Sequence, residues 1–109
     1  MYIPFCPHWI RVIDFLNPTN NRFTVTNQFR VKAEKTHIAD VVVHINGIPV
    51  VVIECKSPIS PKDKSGEAFD QIKRYERDAP RLFLPNCFNV VSDGTNCLYG
   101  ATGMQSSMK

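Results

Sequence analysis

Asp40, Glu54 and Lys56 sit in the stretch DVVVHINGIPVVVIECK, residues 40–56, where most other side chains are apolar. Two carboxylates and one ammonium in that setting suit metal-assisted cleavage of a phosphodiester. Such cleavage needs a divalent ion to lower the pKa of an attacking water and to neutralise charge at phosphorus. Mg²⁺ takes oxygen ligands, commonly one or two protein carboxylates completed by water and phosphate. Asp40 and Glu54 would supply the carboxylates, and the backbone carbonyl of Cys55, between two metal-facing side chains, is a further candidate ligand. Lys56 would position the water or stabilise the pentacovalent charge. Alone the triplet is weak, since Asp and Glu-x-Lys often fall together by chance. The setting strengthens it, because a charge inside a sheet is costly unless it is paired or holds a metal.

Two apolar runs must carry these groups. Val41, Val42, Val43 and Ile45, then Val50, Val51, Val52 and Ile53, suit strands buried on both faces within a sheet. Asn46-Gly47 marks a turn between strands at about 38–45 and 48–56, since both residues tolerate positive φ. Register decides whether the acids meet, because a slip of one residue moves every side chain to the other face. A two-residue loop pairs Ile45 with Ile48 and sets Asp40 opposite Ile53, on the wrong face from Glu54. A three-residue loop pairs His44 with Ile48, sets Asp40 opposite Val52 and makes Glu54 its diagonal neighbour. The chemistry therefore predicts a three-residue loop, or a bulge that restores the same parity.

A helix is predicted next, over about 66–79, within SGEAFDQIKRYERDAP. Ser65 can cap it, Glu67 favours its first turn and Pro80 sets a stop. Ala68, Phe69, Ile72, Tyr75 and Ala79 form its apolar stripe. Gln71 and Tyr75, four apart at the flank of that stripe, lie one above the other. Their polar ends could reach the acids or a DNA backbone while the Tyr75 ring packs on the sheet.

The remaining chain reads as a strand at 10–15, a loop at 17–21, and a strand at 22–31 with Phe23, Val25, Asn27, Phe29 and Val31 on one face. A Pro- and Lys-rich loop follows at 57–64, then strands at 88–92 and 96–100 joined by a Ser92–Thr95 turn, and a frayed tail at 102–109. The expectation is one domain over 1–109, with a core over 10–101, whose sheet lacks a cover on one face. Such a chain is expected to be a partial domain, or to pair with a second copy of itself.

These blocks resemble the PD-(D/E)XK nuclease superfamily, in particular the branch with a Gln-x-x-x-Tyr helix after the lysine. FTVTNQFRV at 23–31, ADVVVHINGIPVVVIECKSP at 39–58, EAFDQIKRYERDAPRLF at 67–83 and FNVVSDGTNCLYGA at 88–101 look like consecutive blocks of one family within it. That family is the N-terminal endonuclease domain of the restriction (R) subunit of type I restriction-modification enzymes. The resemblance implies an α/β fold with a mixed sheet flanked by helix, and Mg²⁺-dependent cleavage of double-stranded DNA. It implies Asp40 and Glu54 as metal ligands, Lys56 as the catalytic lysine, and Gln71 and Tyr75 as accessory residues beside them. Specificity and methylation subunits are the implied partners. Ala39 stands where the superfamily name has proline, and Cys55 where this branch usually has an aliphatic residue. No helix is evident before residue 22, and Asp14 is not an obvious substitute for the acid such a helix often carries.

Composition agrees without deciding. At 109 residues, a single domain buries roughly two-thirds of its unfolded surface. A net charge of +3 permits DNA binding without arguing for it. Lys35, Lys62, Lys64, Lys73, Arg74 and Arg77 could contact phosphates, though most such charges simply face solvent. No apolar run approaches a membrane span, and no signal peptide is evident. Cys6, Cys55, Cys87 and Cys97 lack metal-ligand spacing and read as free thiols, which favours the cytoplasm. His8, His37 and His44 form no ligand motif, and His44 reads as a surface or strand residue. There is no G-x-x-x-x-G-K-[ST], so ATP would act only through a motor outside these residues. Against the nuclease stands a second expectation: a truncated, non-cleaving DNA-binding or assembly module of the same fold.

Overall fold

The β-branched runs become the middle of a sheet, as their composition dictates. A computed structural model describes residues 11–57 and 65–103. After a 3₁₀ turn at Pro18–Asn20 come β1 (Phe23–Lys32), β2 (Thr36–Ile45) and β3 (Ile48–Cys55). Helices α1 (Ser65–Asp78) and α2 (Pro80–Phe83) then lead to β4 (Phe88–Ser92) and β5 (Cys97–Gly100). The strands form one sheet in the order β1-β2-β3-β4-β5. All neighbours are antiparallel except β3 and β4, which run parallel across the helical crossover. This is the expected mixed α/β sheet.

Pro80 both stops and starts. It lacks the N–H needed to continue α1, yet suits the first turn of a helix. The sequence predicts only the stop, whereas the structure adds α2, with Ala79 as its N-cap. Ala68, Ile72, Tyr75 and Ala79 are buried as the stripe predicted, and Phe69 is half-buried beneath the Lys73 ammonium. The core joins Ala68, Ile72 and Tyr75 of α1 and Leu82 and Phe83 of α2 to Val42, Val52 and Val91 of the sheet. The opposite sheet face carries Val25, Phe88 and Tyr99, 69%, 42% and 72% exposed, around a buried Val51.

Two sequence expectations fail. Residues 11–15 form no strand: Asp14 accepts backbone N–H groups from Leu16 and Asn17, and this local capping competes with extended pairing. The residues expected on one face of β1 divide: Phe23 and Val25 are exposed, while Phe29 and Val31 pack on the core. Of the two readings of His44, surface or strand, the structure takes the strand: it lies in β2, buried edge-on to Phe29 with ring centroids 5.1 Å apart.

The hairpin takes the second of its two predicted forms, the bulge that restores parity. Ile45 pairs with Ile48 across a two-residue turn with Asn46 and Gly47 at φ 52° and 82°. That register would separate the acids, but a bulge intervenes: His44 pairs with Pro49 while Val43 pairs with Val51. Val50 is the extra residue, and its carbonyl turns to accept Cys87 N–H at 2.7 Å. Proline in a sheet interior is confined largely to bulges, because it cannot donate to the ladder. Pro49 was the signal in the sequence for this register change. Beyond it Val42 faces Val52 and Val41 faces Ile53, so Asp40 comes level with Glu54.

Candidate active site at a fork between strands

β2 and β3 part beyond Val41 and Ile53: β2 continues with β1, and β3 with β4. Side chains take over where the backbone ladder ends. The Asp40 carboxylate accepts Cys55 N–H at 2.9 Å, and Glu54 Oε1 accepts Asp40 N–H at 3.4 Å. The two acids of the hairpin therefore meet. Asp40 is half-buried and Glu54 is 1% exposed. Burial, and then the neighbouring Asp40 charge, push the Glu54 carboxyl up to about 7. Its environment asks for a proton or a cation.

Lys56, two residues on, is held by α1. Its Nζ donates to Gln71 Oε1 at 3.3 Å, and Gln71 Nε2 donates to the Tyr75 hydroxyl at 2.5 Å. Tyr75 in turn donates to the Ile38 carbonyl at 2.8 Å, two residues before Asp40. The helical i,i+4 pair thus joins the lysine just past β3 to the strand that carries the first acid. Burial, opposed by the Gln71 hydrogen bond, leaves the Tyr75 phenol at about 12, so it stays protonated and keeps donating. Among the described residues no ion pair ties Lys56 to Asp40 or Glu54. The Cys55 thiol is exposed, which agrees with a side chain turned away from the acids.

The donor set fits a hydrated hard cation. Asp40 and Glu54 provide oxygen ligands at one place, and Mg²⁺ commonly uses only one or two protein carboxylates. Among the described residues no cluster of three or more His, Cys, Asp or Glu side chains could hold a metal. A closed all-protein cage of the zinc kind is therefore not formed there.

Other candidates lie elsewhere. Asp14 is bound to Asn20 and Asn21, and Asn21 to Asn46 at the hairpin turn, the far end of β2 and β3 from Asp40 and Glu54. Lys73 pairs with Glu76 and Arg77 with Asp78, so those cations are partly engaged. Lys62, Lys64, Cys6 and His8 lie outside the described residues. Residues that the sequence reading missed are Pro49, which sets the register, and Ile38, whose carbonyl anchors Tyr75.

These features define a class first: a mixed-sheet α/β domain with two carboxylates and a lysine gathered at a fork between central strands. The chain belongs to the family described as type I restriction enzyme R protein N terminus, whose model matches residues 6–106. It is 34% identical over 87 residues to the type I restriction enzyme HindI endonuclease subunit of Haemophilus influenzae, covering 78% of this chain and 8% of that one. A candidate type I restriction enzyme endonuclease subunit of Methanocaldococcus jannaschii, MjaVIIIP, is 40% identical over 82 residues, or 75% of this chain and 8% of its own. The EcoprrI endonuclease subunit of Escherichia coli is 33% identical over 100 residues, 84% of this chain and 30% of its own. The chain spans less than a tenth of the length of the first two relatives. Among the described residues no helix is long and apolar enough to cross a membrane.

Proposed function

We propose that this chain is the nuclease part of a type I restriction subunit, a PD-(D/E)XK domain of the Gln-x-x-x-Tyr branch that cleaves double-stranded DNA with Mg²⁺. The observation that carries this reading is the meeting of Asp40 and Glu54 at the strand fork with Lys56 beside them. Asp40, Glu54 and the Cys55 carbonyl would hold the ion. When bound, the ion supplies a lowered water pKa and neutralises charge at phosphorus.

The chain's own residues do the rest. Asp40 and Glu54 are preorganised by the Cys55 and Asp40 amides, so little rearrangement is needed to present their oxygens. Burial raises the Glu54 carboxyl, and a bound cation would offset that cost and favour its ionised, ligating form. Lys56 places its ammonium where negative charge grows on a phosphoryl group, and Gln71 fixes its direction. Tyr75 holds Gln71 and Ile38 together, so the lysine and the acids keep their spacing. Sequence choice and methylation sensing would come from the specificity and methylation subunits, and ATP-driven motion from a motor elsewhere in the assembly. Such an assembly would work in the cytoplasm.

The test is calorimetric titration with Mn²⁺ and Mg²⁺, comparing the natural chain with Asp40→Ala, followed by plasmid cleavage. Binding lost in the variant, with divalent-dependent cleavage by the natural chain or its assembly, is the expected result. Equal binding by both would remove Asp40 from the site and with it the nuclease assignment.

A further inference from the structure

Gln28 is the one described non-glycine outside the hairpin turn with positive φ, at 51°. It lies inside β1, where extended backbone is the rule. A left-handed non-glycine residue costs steric energy and persists only where its surroundings impose it. Asn27 pairs with Val41 and Phe29 with Ala39, so Gln28 stands opposite Asp40.

The inward-facing parity changes at that point on both strands. On β2, Val42 and His44 are buried on one side of Asp40, and Ala39 with half-buried His37 on the other. Strict alternation would bury residues an even number apart, and 39 and 42 are not. On β1, Thr26 is half-buried before Gln28, and Phe29 and Val31 pack on the core after it. The β1–β2 ribbon therefore turns over at Gln28 and Asp40, and its outer half folds onto Tyr75: the His37 ring lies 5.3 Å from the Tyr75 ring. At this pivot Asp40 leaves the β2–β3 ladder, and its carboxylate reaches the Cys55 amide.

We infer that Gln28 is a positioning residue whose left-handed backbone turns the β1–β2 ribbon and so holds the Asp40 carboxylate on β3 beside Glu54. Its side chain is exposed and has no part in this. The consequence for metal binding rests on the proposed nuclease reading, but the positioning itself is measurable without metal.

The experiment compares Gln28→Gly, Gln28→Asn and Gln28→Val by amide hydrogen exchange in the 109-residue chain. The Cys55 amide reports its bond to Asp40, and the Val42 and Val52 amides serve as internal references in the ladder. Glycine and asparagine tolerate positive φ, so both variants keep Cys55 protected, and glycine raises the melting temperature. Valine disfavours it, and Cys55 protection falls roughly tenfold relative to the references, the scale set by the steric cost of a left-handed residue. Unchanged Cys55 protection in a folded Gln28→Val overturns the inference. If that variant does not fold, Gln28→Gly decides alone: lower melting, as glycine gives in an ordinary strand, or loss of Cys55 protection overturns it. Mn²⁺ titration of the natural chain, run in parallel, reports separately on the nuclease reading.

Discussion

The two ends of the β2–β3 hairpin treat polar groups in opposite ways. At the turn, donors meet acceptors. Asn46 accepts Arg22 N–H at 2.8 Å and donates to the Val12 carbonyl and Asn21 Oδ1 at 2.8 and 2.9 Å. Asp14, held by the Asn17 amide and then the Asn20 side chain, has its carboxyl lowered below the usual value. At the fork, acceptor is packed against acceptor: Glu54 is buried beside Asp40 and its carboxyl is raised. The turn spends its polar residues on holding the chain together. The fork keeps a charge conflict that folding alone does not relieve, the electrostatic condition that the proposed site requires.

That contrast breaks most visibly in catalysis. Lys56→Ala is expected to lower divalent-dependent plasmid cleavage by the assembled restriction complex about 10²–10³-fold. Asn46→Ala, at the other end, should cleave at the natural rate. Loss of cleavage in both, or in neither, would erase the distinction between the two ends.

Glu54→Gln sharpens it through binding and stability together. Removing a buried, like-charged carboxylate should abolish calorimetric Mn²⁺ binding while raising the melting temperature of the metal-free chain at pH 8 by roughly 4 °C or more. A variant that melts lower would mean that Glu54 stabilises the fold, contrary to a conflicted site.

The ends should also respond to pH with opposite signs. The folded Glu54 carboxyl keeps its proton to about 7, whereas its unfolded counterpart releases it near 4.5. The folded state then binds more protons in that window, so metal-free stability falls as pH rises from about 4.5 to about 7. Asp14 has a lowered folded value, so its contribution is present above its unfolded value of 3.8 and is lost as pH falls below it. Urea midpoints across this range, in the natural chain and Glu54→Gln, check both: the upper slope should vanish in the variant and the acid limb should remain.

The smallest effect is expected at the turn. Asn46→Ala should lower unfolding free energy by about 1–2 kcal/mol, since exposed hydrogen bonds are lost without a buried charge being left behind. Divalent affinity should not change. A drop in affinity would show that the turn helps to build the fork.

The chemistry was legible in the chain because costly residue types stand out against apolar surroundings. Asp40, Glu54 and Lys56 interrupt β-branched runs, and Gln71 and Tyr75 sit four apart on a helix. The supports were less legible. Pro49 announced a bulge by its missing N–H, but the favourable Asn46-Gly47 turn pointed to a different register when read alone. Gln28 carries no sign of its left-handed backbone, because glutamine in a strand ordinarily extends. The 10–15 run alternates like a strand, yet Asp14 satisfies nearby amides locally.

By itself the sequence determined which groups could do chemistry, the mixed sheet with its flanking helix, and the family. Local composition and spacing carry the first two, since period, turn residues and charge cost act over a few positions, whereas the family rests on the resemblance of whole ordered blocks. Tertiary structure decided that Asp40 and Glu54 meet, that Gln71 and Tyr75 link Lys56 to the Ile38 carbonyl, and that the ribbon turns over at Gln28. Those outcomes depend on register and strand divergence between residues far apart in the chain, where a shift of one position reverses a face and no local preference chooses between the alternatives.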